Sequence, residues 1–246
     1  MRAMILAAGF GTRLRPLTNH LPKPLLPIGD QPLIRYTLML LKRYAITEVM
    51  INLHHEGEKI QKELGEGESL GMKISYSPEQ QILGTGGGIK RVQRWLMGGT
   101  FLVINGDILT DINIDKAVEF HHRKKAVATL VLREDPDAEK WGVIGIDEQD
   151  RVRQILHRPD RKGEPLTPFM FTGIHLLEPR ALDYIPLRWP CSIMEAYHEM
   201  ICREERIMGY VMKSYWQDIG TPERYEQVRQ AFGQGQVRLS HLRNSG

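Results

Sequence analysis

The sequence predicts a three-layer α/β fold built on a mainly parallel mixed sheet, and three observations carry that prediction. Short apolar runs bounded by glycine alternate with segments of helical period, the pattern of repeated βαβ units. The first such run, MILAA at Met4–Ala8, lacks a polar face, as expected of a strand buried on both sides. Three loops with unusual chemistry follow strand-like ends, at 9–24, 81–88 and 106–107. Ligands in parallel sheets bind beyond the carboxyl ends of strands, so the three loops point to one shared site.

The elements follow in order. After the first strand, residues 9–32 are rich in Gly and Pro and read as a long loop. Residues 33–44 place Leu33, Tyr36, Leu40, Leu41 and Tyr44 at helical spacing. Strands are expected at 48–53, 72–77 and 101–104, and a helix at 56–64. The segment LGTGGGI at 83–89 opens a helix ending near Leu96. In the second half, 127–132, 142–146, 152–155, 169–177 and 207–212 read as strands and 193–202 as a helix. A closing helix spans 222–232, with Thr221 as N-cap and Pro222 in its first position. The expected organisation is a single domain over 1–232, with halves at about 1–110 and 111–232, and a polar, frayed tail at 233–246. No hexapeptide array indicates an appended β-helix.

Composition excludes several function classes. The net charge is +3 and the basic residues are spread along the chain, which gives no nucleic-acid surface. Two cysteines, Cys191 and Cys202, stand without zinc-type spacing and imply no disulfide framework, so a reduced, cytoplasmic setting is expected. The first residues enter a strand pattern rather than a signal peptide, and no apolar run reaches the ~20 residues of a membrane span.

The loop after the first strand reads LAAGFGTRLRPLTNHLPKP over residues 6–24. Gly9 and Gly11 permit close backbone approach and positive φ. Backbone N–H groups in such turns cradle phosphate, and Arg13 and Lys23 add a planar fork and a mobile point charge. A P-loop is excluded because Thr-Arg, not Lys-Ser/Thr, follows Gly11. A dinucleotide fingerprint places Asp30 near its ribose-binding acid, but Leu14 stands at its third glycine and Pro16, Pro22, Pro24 and Pro27 exclude a continuous helix. The run Leu6-Ala7-Ala8-Gly9, Gly11, Arg13, Pro16, Thr18 and Pro22-Lys23-Pro24 resembles, without a gap, the long motif of the nucleotide-sugar pyrophosphorylases (sugar-1-phosphate nucleotidyltransferases). The likeness extends to the region of Asp218 and implies a Rossmann-like nucleotidyltransferase fold. It also implies that Leu6, Ala8, Gly9, Gly11 and Thr12 help hold the triphosphate, with Arg13 and Lys23 on phosphates around the reacting phosphorus.

Asp107, in VINGD, and Asp218, in YWQDIGTP, each read alone as a turn acid or a functional carboxylate. Together they match the two magnesium-binding aspartates of the resembled family. The resemblance therefore implies Mg2+ as cofactor and a nucleoside triphosphate and a sugar 1-phosphate as partners. The attacking sugar phosphate is already an anion, so this chemistry needs no general base. No Ser, His or Cys stands in a recognisable nucleophile motif. The pairs His54-His55 and His121-His122 lie near element ends and read as solvated or capping.

The segment 80–88 resembles the family's nucleobase loop, which implies Gln81, Gly84 and Thr85 as nucleotide contacts. A glycine-rich helix start that holds no ligand is the other reading. Its form is similar to guanylyltransferases acting on mannose 1-phosphate, and also to uridylyltransferases acting on N-acetylmuramate 1-phosphate. In the sugar half, His157-Arg158-Pro159 stands where many members have Glu-Lys-Pro. Arg158 can keep the phosphate role, whereas His157 cannot reproduce a carboxylate. Gly142 and Thr172-Gly173 match positions near the sugar, although both glycines could simply relieve strand crowding. Two further readings are a catalytically silent nucleotide-sugar-binding regulator, against which all four of Arg13, Lys23, Asp107 and Asp218 are retained, and cytidylyl transfer to an amino-alcohol phosphate. The latter needs an aromatic cage, for which Trp141, Trp189, Tyr215 and Trp216 are available.

Overall fold

A computed structural model describes residues 1–138, 142–161, 163–237 and 239–242; Trp141 lies outside them. In chain order, its elements begin with β1 (Arg2–Leu6), β2 (Pro27–Ile28), β3 (Gln31–Pro32), α1 (Leu33–Arg43), β4 (Glu48–Leu53), α2 (Gly57–Leu64) and β5 (Lys73–Pro78). Next come α3 (Gly84–Arg91), α4 (Gln93–Leu96), β6 (Phe101–Asn105), β7 (Ile108–Thr110), α5 (Ile114–Arg123), β8 (Ala128–Arg133), β9 (Val143–Ile146) and β10 (Val152–Ile155). The chain continues through β11 (Thr167–Leu177), α6 (Ile193–Cys202), β12 (Ile207–Val211), β13 (Trp216–Asp218) and α7 (Pro222–Gly233). Parallel and antiparallel strand pairs both occur, as the mixed α/β sheet requires.

The chain folds into two compact units that are not sequential halves. The first contains Arg2–Ile82, Ile104–Ile112 and Ser214–Gly246; the second contains Met1, Leu83–Val103 and Asn113–Lys213.

In the first unit, β1 pairs parallel with β4, with Ile5 opposite Ile51, and β4 pairs parallel with β5. The central residues of β1 and β4 are buried aliphatics, which explains the absence of alternation in the sequence. A separate antiparallel ribbon joins β7 to β13 and sets Asp218 opposite Ile108, the residue after Asp107. Leu14, Leu26, Ile28, Leu33, Tyr36, Leu109, Ile219, Tyr225 and Val228 form one core cluster beneath these elements. Leu239 belongs to it as well. Part of the stretch expected to fray is packed: Leu239 and His241 are buried, and Ser240 donates from both its N–H and its hydroxyl to Asp111, while 238 and 243–246 lie outside the described residues. Burial of Leu239 and these two bonds offset the entropy cost of ordering a polar segment.

In the second unit, β9 pairs antiparallel with β10 and β11, β11 antiparallel with β8, and β8 parallel with β12. The expected 84–96 helix is broken at Val92 into α3 and α4. Helix α5, not anticipated from the sequence, is capped by Asn113, whose Oδ1 accepts from Lys116 N at 3.0 Å. Ser192 and Glu195 form a capping box on α6. His121, expected to be solvated or capping, is 1% exposed. Its Nδ1 lies 2.8 Å from Thr129 Oγ1 and its Nε2 3.1 Å from Glu178 Oε1, so the ring is a satisfied core histidine at the end of α5. Burial lowers its pKa despite Glu178. His122 beside it is exposed.

Candidate active site

The first unit gathers Arg13, Lys23, Asp107 and Asp218. The chain leaves β1 into an open loop: Gly9 is exposed, and a Cβ there would meet nothing within 4 Å. Gly11 has φ +63°, and Thr18 closes the turn by donating its hydroxyl to Gly11 O at 2.8 Å. This left-handed residue starts a short 3-10 turn over Thr12–Leu14. Leu14 is buried in the core cluster, while Thr12 and Arg13 stay exposed. One inward apolar anchor thus presents the cation outward.

Lys23 is 9% exposed, held between Pro22 and Pro24 in a second 3-10 turn. Its Nζ lies 2.5 Å from Asp107 Oδ2 and 3.9 Å from Asp218 Oδ1. Arg224, in the first turn of α7, donates to Asp218 Oδ2 at 3.0 Å. The side chains form an alternating series, Arg224–Asp218–Lys23–Asp107. The backbone sets their proximity: Ile219 N donates to Asp107 O at 3.0 Å, and Gly106 N donates to Leu6 O at 2.9 Å. A Cβ at Gly106 would stand 3.1 Å from Leu6 O, so glycine allows the Asp107 loop to lie against the end of β1.

Behind the loop, Asn52 is 3% exposed among the buried apolar residues of β4. Its Oδ1 accepts from Ala7 N at 2.7 Å and its Nδ2 donates to Glu79 Oε1 at 2.8 Å. An isolated buried amide would be costly; here it fixes the exit of β1 next to Ala8. Neither Asn52, Glu79 nor Arg224 is among the residues the sequence singled out. A polar residue inside a buried strand was the available signal for Asn52. For Arg224 it was the position one turn into a helix that begins shortly after Asp218.

Gln81 is exposed in the first unit, whereas Gly84 and Thr85 belong to the second. There the glycine run meets the segment before α6. Gly84 has φ +76°, and a Cβ on it would lie 2.3 Å from Cys191 O. Gly86 N donates to Cys191 O at 3.0 Å, Cys191 N to Leu83 O at 2.9 Å, and Ile193 N to Thr85 Oγ1 at 2.9 Å. The ring of Trp189 stands 2.7 Å from a Cβ position on Gly87. Close backbone packing is thus one demand on these glycines. Burial, with Glu195 nearby, pushes the Cys191 thiol up, away from nucleophilic thiolate character.

His157 and Arg158 are exposed at a two-residue hairpin turn. Leu156 and His157 both have positive φ, 51° and 62°, and Ile155 and Arg158 exchange two backbone bonds of 2.8 and 2.9 Å. Gly142, at φ +100°, meets this turn: its Cβ would lie 2.8 Å from Leu156 Cδ2. Gly142, His157 and Arg158 therefore cluster. Thr172 is 1% exposed and donates its hydroxyl to Val131 O at 2.8 Å; Gly173, at φ +78°, occupies a register shift between β11 and β8.

The glycine-bearing loop after β1, the paired aspartates and the buried lysine all lie in the first unit of the α/β fold. The chain belongs to the nucleotidyl transferase family, whose model matches residues 2–235. It is 35% identical over 223 residues to a mannose-1-phosphate guanylyltransferase of Mycobacterium tuberculosis, covering 90% of this chain and 61% of that protein. It is 32% identical over 244 residues to a UTP--glucose-1-phosphate uridylyltransferase of Synechocystis, covering 93% of this chain and 63% of that protein. The chain thus spans less than two-thirds of the length of these relatives. A solved structure from Bacillus anthracis, described as a candidate glucose-1-phosphate thymidylyltransferase in complex with sucrose, superposes with a TM-score of 0.82 at 25% identity. The match covers 94% of this chain and 95% of that one. Among the described residues, no helix is long and apolar enough to cross a membrane.

Proposed function

We propose that the chain transfers a nucleotidyl group from a nucleoside triphosphate to a sugar 1-phosphate, forming a nucleotide sugar and pyrophosphate. The observation that carries this reading is the series Arg224–Asp218–Lys23–Asp107 beside the loop that follows β1. A phosphate oxygen of the sugar phosphate attacks the α-phosphorus in line, the α–β bridging bond breaks, and its electron pair leaves on pyrophosphate. The attacking group is anionic, so no side chain takes a proton. Arg13 and the Gly9–Gly11 backbone hold the triphosphate, and Lys23 neutralises charge on the transferring group. Positioning of the two anions supplies much of the remaining acceleration.

Asp107 and Asp218 fit a divalent cation of the Mg2+ type. Both present hard carboxylate oxygens, Mg2+ takes few protein carboxylates besides phosphate and water, and the Lys23 ammonium already lies between the two. When bound, the cation supplies charge neutralisation at the phosphates. Gly142, His157, Arg158, Thr172 and Gly173 are proposed for the sugar phosphate, and Gln81, Gly84 and Thr85 for the nucleobase.

For the substrates, the Mycobacterium tuberculosis relative favours GTP with mannose 1-phosphate. The Synechocystis relative favours a uridylyl reading, with which an N-acetylmuramate 1-phosphate specificity shares its base. The deciding experiment is pyrophosphate release across GTP, UTP, dTTP and CTP against mannose, glucose and N-acetylmuramate 1-phosphates. Highest turnover with GTP and mannose 1-phosphate is expected. Release with no pair would sink the enzymatic reading in favour of a silent nucleotide-sugar binder.

A further inference from the structure

We propose that Arg224 is a positioning residue that sets which oxygen of Asp218 faces the divalent cation. The inference rests on the reading that Asp107 and Asp218 hold that cation. The two oxygens of Asp218 have different surroundings. Oδ2 accepts from Arg224 Nη1 at 3.0 Å, and it also lies over Gly220, where a Cβ would stand only 2.3 Å from it. Oδ1 is 3.9 Å from Lys23 Nζ, beyond hydrogen-bond distance, while that ammonium bonds Asp107 instead. One oxygen is thus bonded by a guanidinium and lies where a side chain at Gly220 would intrude. The other is turned toward Lys23, which bonds Asp107.

Arg224 is itself held. Its backbone N–H is capped by Thr221 Oγ1 at 3.4 Å, and its side chain is 26% exposed against 15% for Asp218. A partly desolvated, charge-assisted bond is stronger and better oriented than a surface ion pair. Asp218 therefore presents a single oxygen, the mode suited to a small octahedral cation that keeps water and phosphate in its other positions. Gly220 serves the same end, because any side chain there would displace Oδ2 from the arginine.

Two roles for Arg224 predict opposite signs. If it only neutralises Asp218, its removal strengthens cation binding. If it orients the carboxylate, its removal weakens binding. Binding of Mn2+ is read by electron paramagnetic resonance, with and without a non-hydrolysable triphosphate, so the measurement needs no turnover. Arg224→Ala is expected to weaken Mn2+ binding about 10-fold, the scale seen when the partner of a metal-ligating carboxylate is lost. Arg224→Lys should recover part of it, and the Asp218→Asn/Arg224→Ala double variant should bind no more weakly than Asp218→Asn alone. Equal or tighter Mn2+ binding by Arg224→Ala, or additive losses in the double variant, overturns the proposal. If Arg224→Ala does not fold, Arg224→Lys must bind Mn2+ more tightly than Arg224→Gln, and the reverse order overturns it. A wild type that binds no Mn2+ overturns the cation reading itself, an outcome distinct from a Mn2+-binding wild type with an indifferent arginine.

Discussion

Lys23 bonds Asp107 from inside the protein: the ammonium is 2.5 Å from Oδ2, the lysine is buried, and 84 positions in the sequence separate the two. Burying an ammonium is costly unless it is paired. Asp107 and Asp218 supply that pairing, and their own repulsion is relieved by it. The arrangement stores a cation where a triphosphate would bring negative charge.

The first prediction concerns the two carboxylates. Asp107→Asn and Asp218→Asn should each reduce turnover by at least ~100-fold, the scale of losing a major electrostatic stabiliser. Circular dichroism should show the fold retained. EDTA should abolish pyrophosphate release and added Mg2+ restore it. Near-normal turnover in either folded variant removes that aspartate from the mechanism.

Lys23→Met separates charge from packing. Turnover should fall by more than triphosphate affinity does, measured by calorimetry alongside steady-state rates. The variant should also lose stability, by less than the ~3–5 kcal/mol of breaking a fully buried pair, because Asp107 keeps some solvent contact. Weaker triphosphate binding at unchanged turnover would assign Lys23 to ground-state binding alone.

Much of this candidate site was legible in the sequence because its residues stand in the motifs that carry the family resemblance. The motif from Leu6 to Pro24 is contiguous, and Asp107 and Asp218 each follow a readable strand or precede a readable helix. Arg224 was passed over, since its pairing with Asp218 depends on how α7 is placed after Asp218. Strands β7 and β13 escaped notice because three-residue strands carry no periodicity. The packing of 239–242 escaped for another reason: Val237, Leu239 and Leu242 are spread through a polar run, and only the tertiary fold supplies their pocket. The division into units was hidden because residues from 214 onward pack with the first unit.

Gly84 tests the packing demand on the glycine run. Its φ is +76° and a Cβ would meet Cys191 backbone atoms at 2.3 and 3.0 Å, which cannot move as a flexible side chain does. Gly84→Ala should destabilise the protein by at least ~1–3 kcal/mol in urea unfolding, from backbone strain and overpacking together. Gly9→Ala, where a Cβ meets open space, should leave stability within ~0.5 kcal/mol. Similar stabilities for Gly84→Ala and wild type would show that the 84–87 segment yields easily.

Stability should fall on mild acidification. Burial pushes His175 down to about 3, and its Nδ1 bonds Tyr197, whose hydroxyl burial holds well above the usual range. Tyr197 therefore stays a donor and Nδ1 its acceptor. The unfolded chain takes up a proton near the ordinary value of 6.5 that the folded chain refuses. The contribution is complete above that value and is lost as pH falls toward about 3, with a slope of about 1.4 kcal/mol per pH unit. His121 and His241, also lowered by burial, act in the same direction. Urea unfolding at pH 7, 6 and 5 should show the decline, and His175→Gln should flatten it. An unchanged slope in that variant would place the titration elsewhere.

The last prediction places Arg158 in the proposed sugar-phosphate site. The turn that carries it has Leu156 and His157 both at positive φ, a geometry for which Asn-Gly is the favoured pair. Two non-glycine residues at such positions are strained, and strain of this kind persists where side-chain chemistry is needed. Arg158, exposed beside that tip, can grip a phosphate through two parallel hydrogen bonds. Arg158→Ala should raise KM for the sugar 1-phosphate at least ~10-fold, as expected for loss of a charged hydrogen bond worth about 1.5–3 kcal/mol. Affinity for the triphosphate should hardly change, and Arg158→Lys should recover part of the loss. Replacing Leu156-His157 by Asn-Gly should stabilise the protein by relieving the turn, yet lower kcat/KM for the sugar 1-phosphate if His157 faces the sugar. A stabilised variant with unaltered sugar-phosphate kinetics would confine the hairpin to a structural role. Unaltered kinetics in Arg158→Ala as well would move the phosphate contact to another residue of the second unit.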